Sequence, residues 1–262
     1  MAVLVEYGSY LSSYHTKTSF KLNWKAKAKP GGNKIIKGAL REGRHALLEH
    51  EGKKLFEIHG APVPQDCLVQ SADEAVQCAL DLGTDVALKI VSPDILHKSD
   101  AGGVRIKLNT EKEIRTAYRE IMKSSKKYAP EADIRGVLVS PMAAEGVEVI
   151  IGTKIDDQFG PVIMYGLGGI MVEILKDVAF RVLPISPTGA RKMIAETKSN
   201  PILDGARGTP PLDKKALQRL LVLCSDIVEA YPQIQEMDLN PVIVHQKGAS
   251  VVDARIILKS DD

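Results

Sequence analysis

Long apolar runs are missing from this sequence. No stretch approaches the roughly 18–20 residues that a membrane-spanning helix needs, which excludes a helical membrane protein. Cysteine is scarce: Cys67, Cys78 and Cys224 are an odd number without metal-ligand spacing. That argues against a disulfide framework or a zinc site and for a reducing, cytoplasmic compartment. A surplus of one charge is missing too, because 35 Lys+Arg face 33 Asp+Glu for a net charge of +2. Six lysines and one acid in residues 1–34 place +5 there and leave −3 on the remainder. The body therefore has no basic excess with which to hold nucleic acid. Two phosphate-binding fingerprints are also absent. There is no Gly-x-x-x-x-Gly-Lys-[Ser/Thr], and Gly166-Leu167-Gly168-Gly169 leads into residues that read as strand rather than helix.

What remains is a globular composition, 44% hydrophobic and 26% charged over 262 residues, with room for two domains. Residues 1–34 scatter aromatics among Ser, Thr and Lys. They lack the apolar core of a secretory signal and the arginines of a transit peptide. They read as a mobile tail, or a start placed too early, ending in a flexible link at Pro30-Gly31-Gly32-Asn33. Ile36, Leu40, Leu47, Leu48 and Leu55 follow helical spacing up to Gly60. Ser71 with Glu74, and Thr110 with Glu113, predict capped helices to about Gly83 and Ser125. Further helices are predicted over 188–198 and 214–229. Strands are predicted at 86–91, 104–108, 136–140, 147–153, 162–165, 172–175, 179–183, 236–239 and 250–254. Strands joined by short turns alternate with helices, which is an α+β (mixed α/β) chain without internal repeats.

Four segments carry chemistry. Lys89 lies inside the apolar strand Leu88-Lys89-Ile90 and needs an anion there, either a nucleotide phosphate or a structural carboxylate. His97 follows in a polar loop, Ser92 to Gly103, beside Lys98 and near Asp100. An imidazole there can carry a phosphoryl group as a phosphoramidate, and the glycine pair Gly102-Gly103 can bring backbone N–H groups to an oxyanion. Asp238 and Asn240 stand two apart on one strand face, and Asp253 on a paired strand can join them. Such oxygens suit Mg²⁺, although an Asx-type turn around Asn240-Pro241 uses the same residues. Arg207, set between Gly205 and Gly208, can present its guanidinium to a phosphate, as an ordinary surface loop also would.

In this order the segments resemble one family. Val86-Ala-Leu-Lys-Ile-Val-Ser-Pro-Asp-Ile-Leu-His-Lys-Ser-Asp-Ala-Gly-Gly-Val104 is similar to a signature of the β subunit of ADP-forming acetate–CoA ligase (acetyl-CoA synthetase). Phe159 to Ile170, Asp204-Gly-Ala-Arg-Gly208 and Glu236-Met-Asp-Leu-Asn-Pro241 agree with it, and the likeness runs from about Ile36 to Leu258. The resemblance implies an ATP-grasp fold holding nucleotide between two subdomains, roughly 60–137 and 138–262, within a domain spanning 35–262. It implies the reaction acyl-CoA + ADP + phosphate ⇌ carboxylic acid + CoA + ATP, shared with a CoA-binding α subunit in an α2β2 heterotetramer.

By the same resemblance, His97 takes the phosphoryl group from an α-subunit phosphohistidine and delivers it to Mg-ADP. Lys89 binds nucleotide phosphate, and Val139, Ser140 and Met142 form the adenine-side hinge. Glu148 faces the ribose, Gly168 and Gly169 approach the phosphates, and Arg207 contacts an anion. Asp238, Asn240 and Asp253 are the Mg²⁺ positions, with Asp238 also orienting His97. No membrane or nucleic-acid partner is implied. The alternatives are the ATP-grasp part of a succinate- or malate-type CoA ligase or of a fused acyltransferase, and a non-catalytic nucleotide-sensing subunit that could discard His97.

Overall fold

The computed structural model describes residues 26–95, 97–169, 177–205 and 208–259. Most of the tail, the strand expected at 172–175 and Arg207 lie outside these residues. The chain begins with two helices, α1 (Pro30–Arg41) and α2 (Glu49–Ile58). Helical spacing over residues 36–55 is thus divided between two helices. In the interval Ala46 bridges to Ile257, so the chain turns extended before α2 starts. The Pro30–Asn33 segment is the first turn of α1 and not a link. Proline is tolerated there because its missing N–H would have had no intrahelical acceptor. Gly32 is required by packing: a Cβ at this position would lie 2.1 Å from the Tyr231 hydroxyl.

A smaller antiparallel sheet follows. Strands β1 (Cys67–Val69), β2 (Val86–Val91), β3 (Val104–Leu108) and β4 (Gly136–Pro141) lie in the order β1-β4-β2-β3. Helices α3 (Ala72–Leu82) and α4 (Glu111–Tyr128) cover one face. Both start as their caps predict. Ser71 Oγ accepts from Glu74 N at 3.2 Å, and Thr110 and Glu113 exchange two bonds in a full capping box. Side-chain alternation gives β2 two roles. Val86, Leu88 and Ile90 enter the core under α3 and α4, while Ala87, Lys89 and Val91 turn to the opposite face.

The larger sheet takes β5 (Val147–Asp156), β6 (Gly160–Leu167), β7 (Val178–Val182), β8 (Ile234–Val244), β9 (Ala249–Val251) and β10 (Arg255–Leu258). Its order is β10-β8-β5-β6-β7, with β9 pairing β8. Helices α5 (Pro187–Glu196), α6 (Asn200–Leu203) and α7 (Lys214–Ala230) follow β7, and the core here also takes in α1 and α2. Strand β8 continues through Asn240-Pro241, so the turn considered there does not form. A register shift against β5, between Val149 and Ile151, accommodates the proline within a central strand. Asp253 lies between β9 and β10 rather than on a strand.

The cysteines also differ from expectation. Cys67 and Cys78 form a disulfide with Cα atoms 6.4 Å apart, leaving Cys224 free and buried. The bond arises because α3 packs onto β1, a tertiary contact that a separation of 11 residues does not advertise. The cysteine count therefore no longer argues for a reducing compartment. No helix among the described residues is long and apolar enough to cross a membrane.

Candidate active site

The inner face of β2 and β4 looks across a cleft of about 750 Å³ toward β8 and the β9–β10 connection. The N-terminus of α2 forms its floor, where Leu48 packs with Val91 and Leu138. Lys89, His97, Ser140, Met142, Glu148, Asp238, Asn240 and Asp253 all line this one cleft. Residues spread over more than 160 positions in sequence are thus brought together.

Lys89 is buried, and its ammonium is bound by two carboxylates. Glu49 Oε1 lies at 2.6 Å and Asp253 Oδ2 at 3.3 Å. The structural-carboxylate option for this lysine is therefore realised, in a position that also opens on the cleft. Glu49 uses its second oxygen for Lys98, so one carboxylate that is 1% exposed joins two lysines. Burial alone would push the Glu49 carboxyl up. The charges of Lys89, Lys98 and Lys53 overcome that and hold it down at about 2. Burial likewise works against a charged Lys89, yet Glu49 and Asp253 raise its pKa above the ordinary lysine value. Lys53 forms a neighbouring buried pair with Asp66, whose own pKa burial pushes upward despite that partner.

His97 is exposed on the cleft and sits between two fixed points of its loop. On one side Ile95 is buried, and the Asp94 carboxylate accepts from Asp133 N at 2.7 Å. On the other, Lys98 is held by Glu49. The loop then closes on itself: Ala101 N, Gly102 N and Gly103 N donate to the carbonyls of His97, Ser99 and Lys98. The glycine N–H groups are engaged there and do not serve as oxyanion donors. Gly103 is dictated by closeness, since a Cβ would come within 2.5 Å of Ile90 Cγ2.

Across the cleft, Asp238 and Asn240 project from β8 with the expected two-residue spacing. Burial pushes the Asp238 carboxyl up; Arg255 opposes this, and Asp253 and Glu236 add to it. The mutual repulsion of Asp238 and Asp253 is what a bound cation would relieve. Among the described residues no group of three or more His, Cys, Asp or Glu gathers into a metal centre. Two carboxylates and an amide oxygen nevertheless suit Mg²⁺, which keeps waters and phosphate oxygens as its other ligands.

Other expected residues occupy different places. Val139 is fully buried in the small core, so only its backbone can face a ligand. Met142 N already donates to Asp85 O at 2.8 Å. Gly168 and Gly169 are not among the cleft-lining residues, and Gly168 N donates to Glu148 O at 2.7 Å. Glu49 and Arg255 carry no motif that sequence reading can find. An acid in the first turn of a helix reads as complementing the helix dipole, and nothing local points to lysines 40 and 49 residues away.

Two antiparallel sheets with a charged, lysine-bearing cleft between them define an ATP-grasp protein, and a family model described as an ATP-grasp domain matches residues 38–258. The chain is 50% identical over 229 residues to the β subunit of acetate–CoA ligase [ADP-forming] II of Pyrococcus furiosus, covering 86% of this chain and 97% of that protein. It superposes with a TM-score of 0.84 and 47% identity on acetyl-coenzyme A synthetase 1 of Ca. Korarchaeum cryptofilum, solved with coenzyme A, Ca-AMPCP and HgCl+. That match covers 87% of this chain and 100% of the other. A second structure of that synthetase holds coenzyme A and Mg-AMPPCP, with its phosphohistidine segment pointing towards the nucleotide-binding site. It matches with a TM-score of 0.76 and 44% identity over 87% of this chain and 100% of the other. The chain belongs to the β subunits of ADP-forming acetate–CoA ligases, which act as ligases within a subunit complex.

Proposed function

We propose that this chain accepts a phosphoryl group on His97 from its α partner and transfers it to ADP held in the cleft, reversibly. The observation that carries this reading is the meeting of His97, Lys89 and the Asp238–Asn240–Asp253 group on one cleft wall system. In the ATP-forming direction the phosphoramidate P–N bond breaks and a bond forms to a β-phosphate oxygen of ADP. His97 is left as imidazole for the next cycle. Transfer needs the two phosphorus-bearing groups nearly in line, at about 3 Å, so an exposed histidine on a tethered loop is suited to the task. Lys89 binds the nucleotide phosphates by exchanging part of its pairing with Glu49 and Asp253 for them.

Asp238, Asn240 and Asp253 would hold Mg²⁺, which when bound bridges the phosphates and neutralises their charge. Asp238, which lines the same cleft, also orients His97. Ser140 and Met142, with the Val139 backbone, form the base-side wall, and Glu148 the ribose side. Gly168 acts by seating Glu148, Gly169 approaches the phosphates, and Arg207 contacts an anion. Two subdomains, about 60–137 and 138–262, follow the two N-terminal helices α1 and α2, which pack into the core of the larger one. The separate apolar cores support that division, with the hand-over falling after Val139. The chain works with a CoA-binding α subunit as α2β2 in the cytoplasm, where ADP, phosphate and coenzyme A are available.

The test mixes the chain with its α partner, acetyl-CoA, phosphate and Mg-ADP, and follows ATP. His97→Ala should abolish ATP formation while leaving ADP binding intact. Wild-type ATP formation by His97→Ala overturns the proposal. Nucleotide binding without turnover in the wild-type complex favours a sensing subunit instead.

A further inference from the structure

The Glu49 carboxylate is the most deeply buried charged group at the cleft, and it binds two cations from different parts of the chain. Lys89 comes from the middle of β2, and Lys98 from the loop, immediately after His97. Glu49 itself is fixed as the first residue of α2, whose N-cap Leu48 packs against β2 and β4 through Val91 and Leu138. A single rigid point thus determines two positions: where the Lys89 ammonium stands and where the loop departs after His97. Glu49 keeps Lys98 on its other oxygen, so Lys89 can turn toward phosphate without leaving Glu49 wholly unpaired, and Asp253 at 3.3 Å offers Lys89 a second carboxylate. Breaking the lysine–carboxylate contacts altogether would strand a buried charge, which is costly.

We infer that Glu49 is a positioning residue for phosphoryl transfer, holding the His97 loop through Lys98 in register with the phosphate-binding Lys89. The inference rests on the reading of His97 as phosphoryl carrier. It assigns Glu49 no contact with substrate. The benefit is geometric, because a carrier loop misplaced by about 1 Å can lose about two orders of magnitude in rate. The arrangement also explains why the loop turn is so tightly bonded: Gly103 N donates to the carbonyl of Lys98 itself, at 2.7 Å, so tethering Lys98 tethers the whole turn.

Two measurements on the α/β complex test this. Amide hydrogen exchange at Ala101, Gly102 and Gly103 reads the loop directly, whatever the activity. Glu49→Gln and Lys98→Met should each accelerate it about tenfold, as loss of a charge-assisted contact predicts. In steady-state ATP formation both variants should lower kcat about tenfold or more while the KM for ADP moves less than about threefold, since Lys89 retains Asp253. The double variant should be no worse than the poorer single one, as expected for one shared contact. Glu49→Asp keeps the charge but is one methylene shorter, and should restore one lysine contact and part of kcat. Should Glu49→Gln fail to fold, Lys98→Met, whose side chain is partly exposed, decides alone. Wild-type exchange and turnover in Lys98→Met overturn the inference. If His97→Ala retains ATP formation, the carrier reading falls and takes the catalytic half of the inference with it. The tether is then still judged by exchange.

Discussion

Glu49 Oε1 lies 2.6 Å from Lys89 Nζ, joining the first turn of a helix to the middle of a strand 40 residues later. The pair sits at the centre of the cleft, and its charge state follows from its surroundings. Glu49 is held at about 2 against an ordinary value of 4.5. A carboxylate depressed in this way stabilises the fold fully above its unfolded value. It ceases to do so as the pH falls through its folded value. Wild type should therefore lose stability as the pH falls from 4.5 toward 2 in a way that Glu49→Gln does not, read from urea melts at stepped pH.

Lys89→Met removes the cation assigned to nucleotide phosphate. Loss of a charge-assisted contact should weaken Mg-ADP binding about tenfold or more by titration calorimetry. Glu49 keeps Lys98 in this variant, so the fold should survive. Unchanged affinity would show that Lys89 serves only its carboxylate partners, Glu49 and Asp253.

Asp238→Asn keeps the shape of the β8 wall and removes one of the two mutually repelling carboxylates. The Mg²⁺ concentration giving half-maximal ATP formation should rise about tenfold, with the melting temperature held or raised. A metal requirement identical to wild type would remove Asp238 from the ligand set.

Gly103→Ala places a methyl 2.5 Å from Ile90 Cγ2 and 3.0 Å from the Lys98 carbonyl, with Ile90 itself fully buried. Overpacking of this kind costs about 1–3 kcal/mol. Thermal melting should fall accordingly, and the amides of residues 101–103 should exchange faster.

The Cys67–Cys78 bond closes a short loop between β1 and α3. Thiol titration under denaturing, non-reducing conditions should find one reactive cysteine, Cys224, and reduction should expose all three. Reduction should also lower stability by about 2–3 kcal/mol, the size expected for so short a loop. Finding three thiols without reductant would refute the bond.

Local chemistry alone was enough to foresee much of this molecule. The capping residues Ser71 and Thr110 start their helices because a side-chain oxygen satisfies an orphan N–H without distant help. The apolar run around Lys89 announces a strand buried on both faces, and the two-residue spacing of Asp238 and Asn240 places them on one side of β8. Ordered motifs also indicated the family. What a local pattern cannot encode is which distant groups meet. The α1–α2 break, the Cys67–Cys78 bond and the engagement of the Gly102 and Gly103 amides all depend on contacts made after the sheets assemble.

The same division runs through Lys89. Its sequence demanded an anion, because an ammonium inside an apolar strand is unstable without one. Only the tertiary structure supplied Glu49 and Asp253, and with Glu49 the link to Lys98 and the His97 loop. Residue type decides what partner a buried charge needs, a local property of solvation. Which carboxylate arrives is decided by how α2 packs on the sheets, and that is a property of the whole fold.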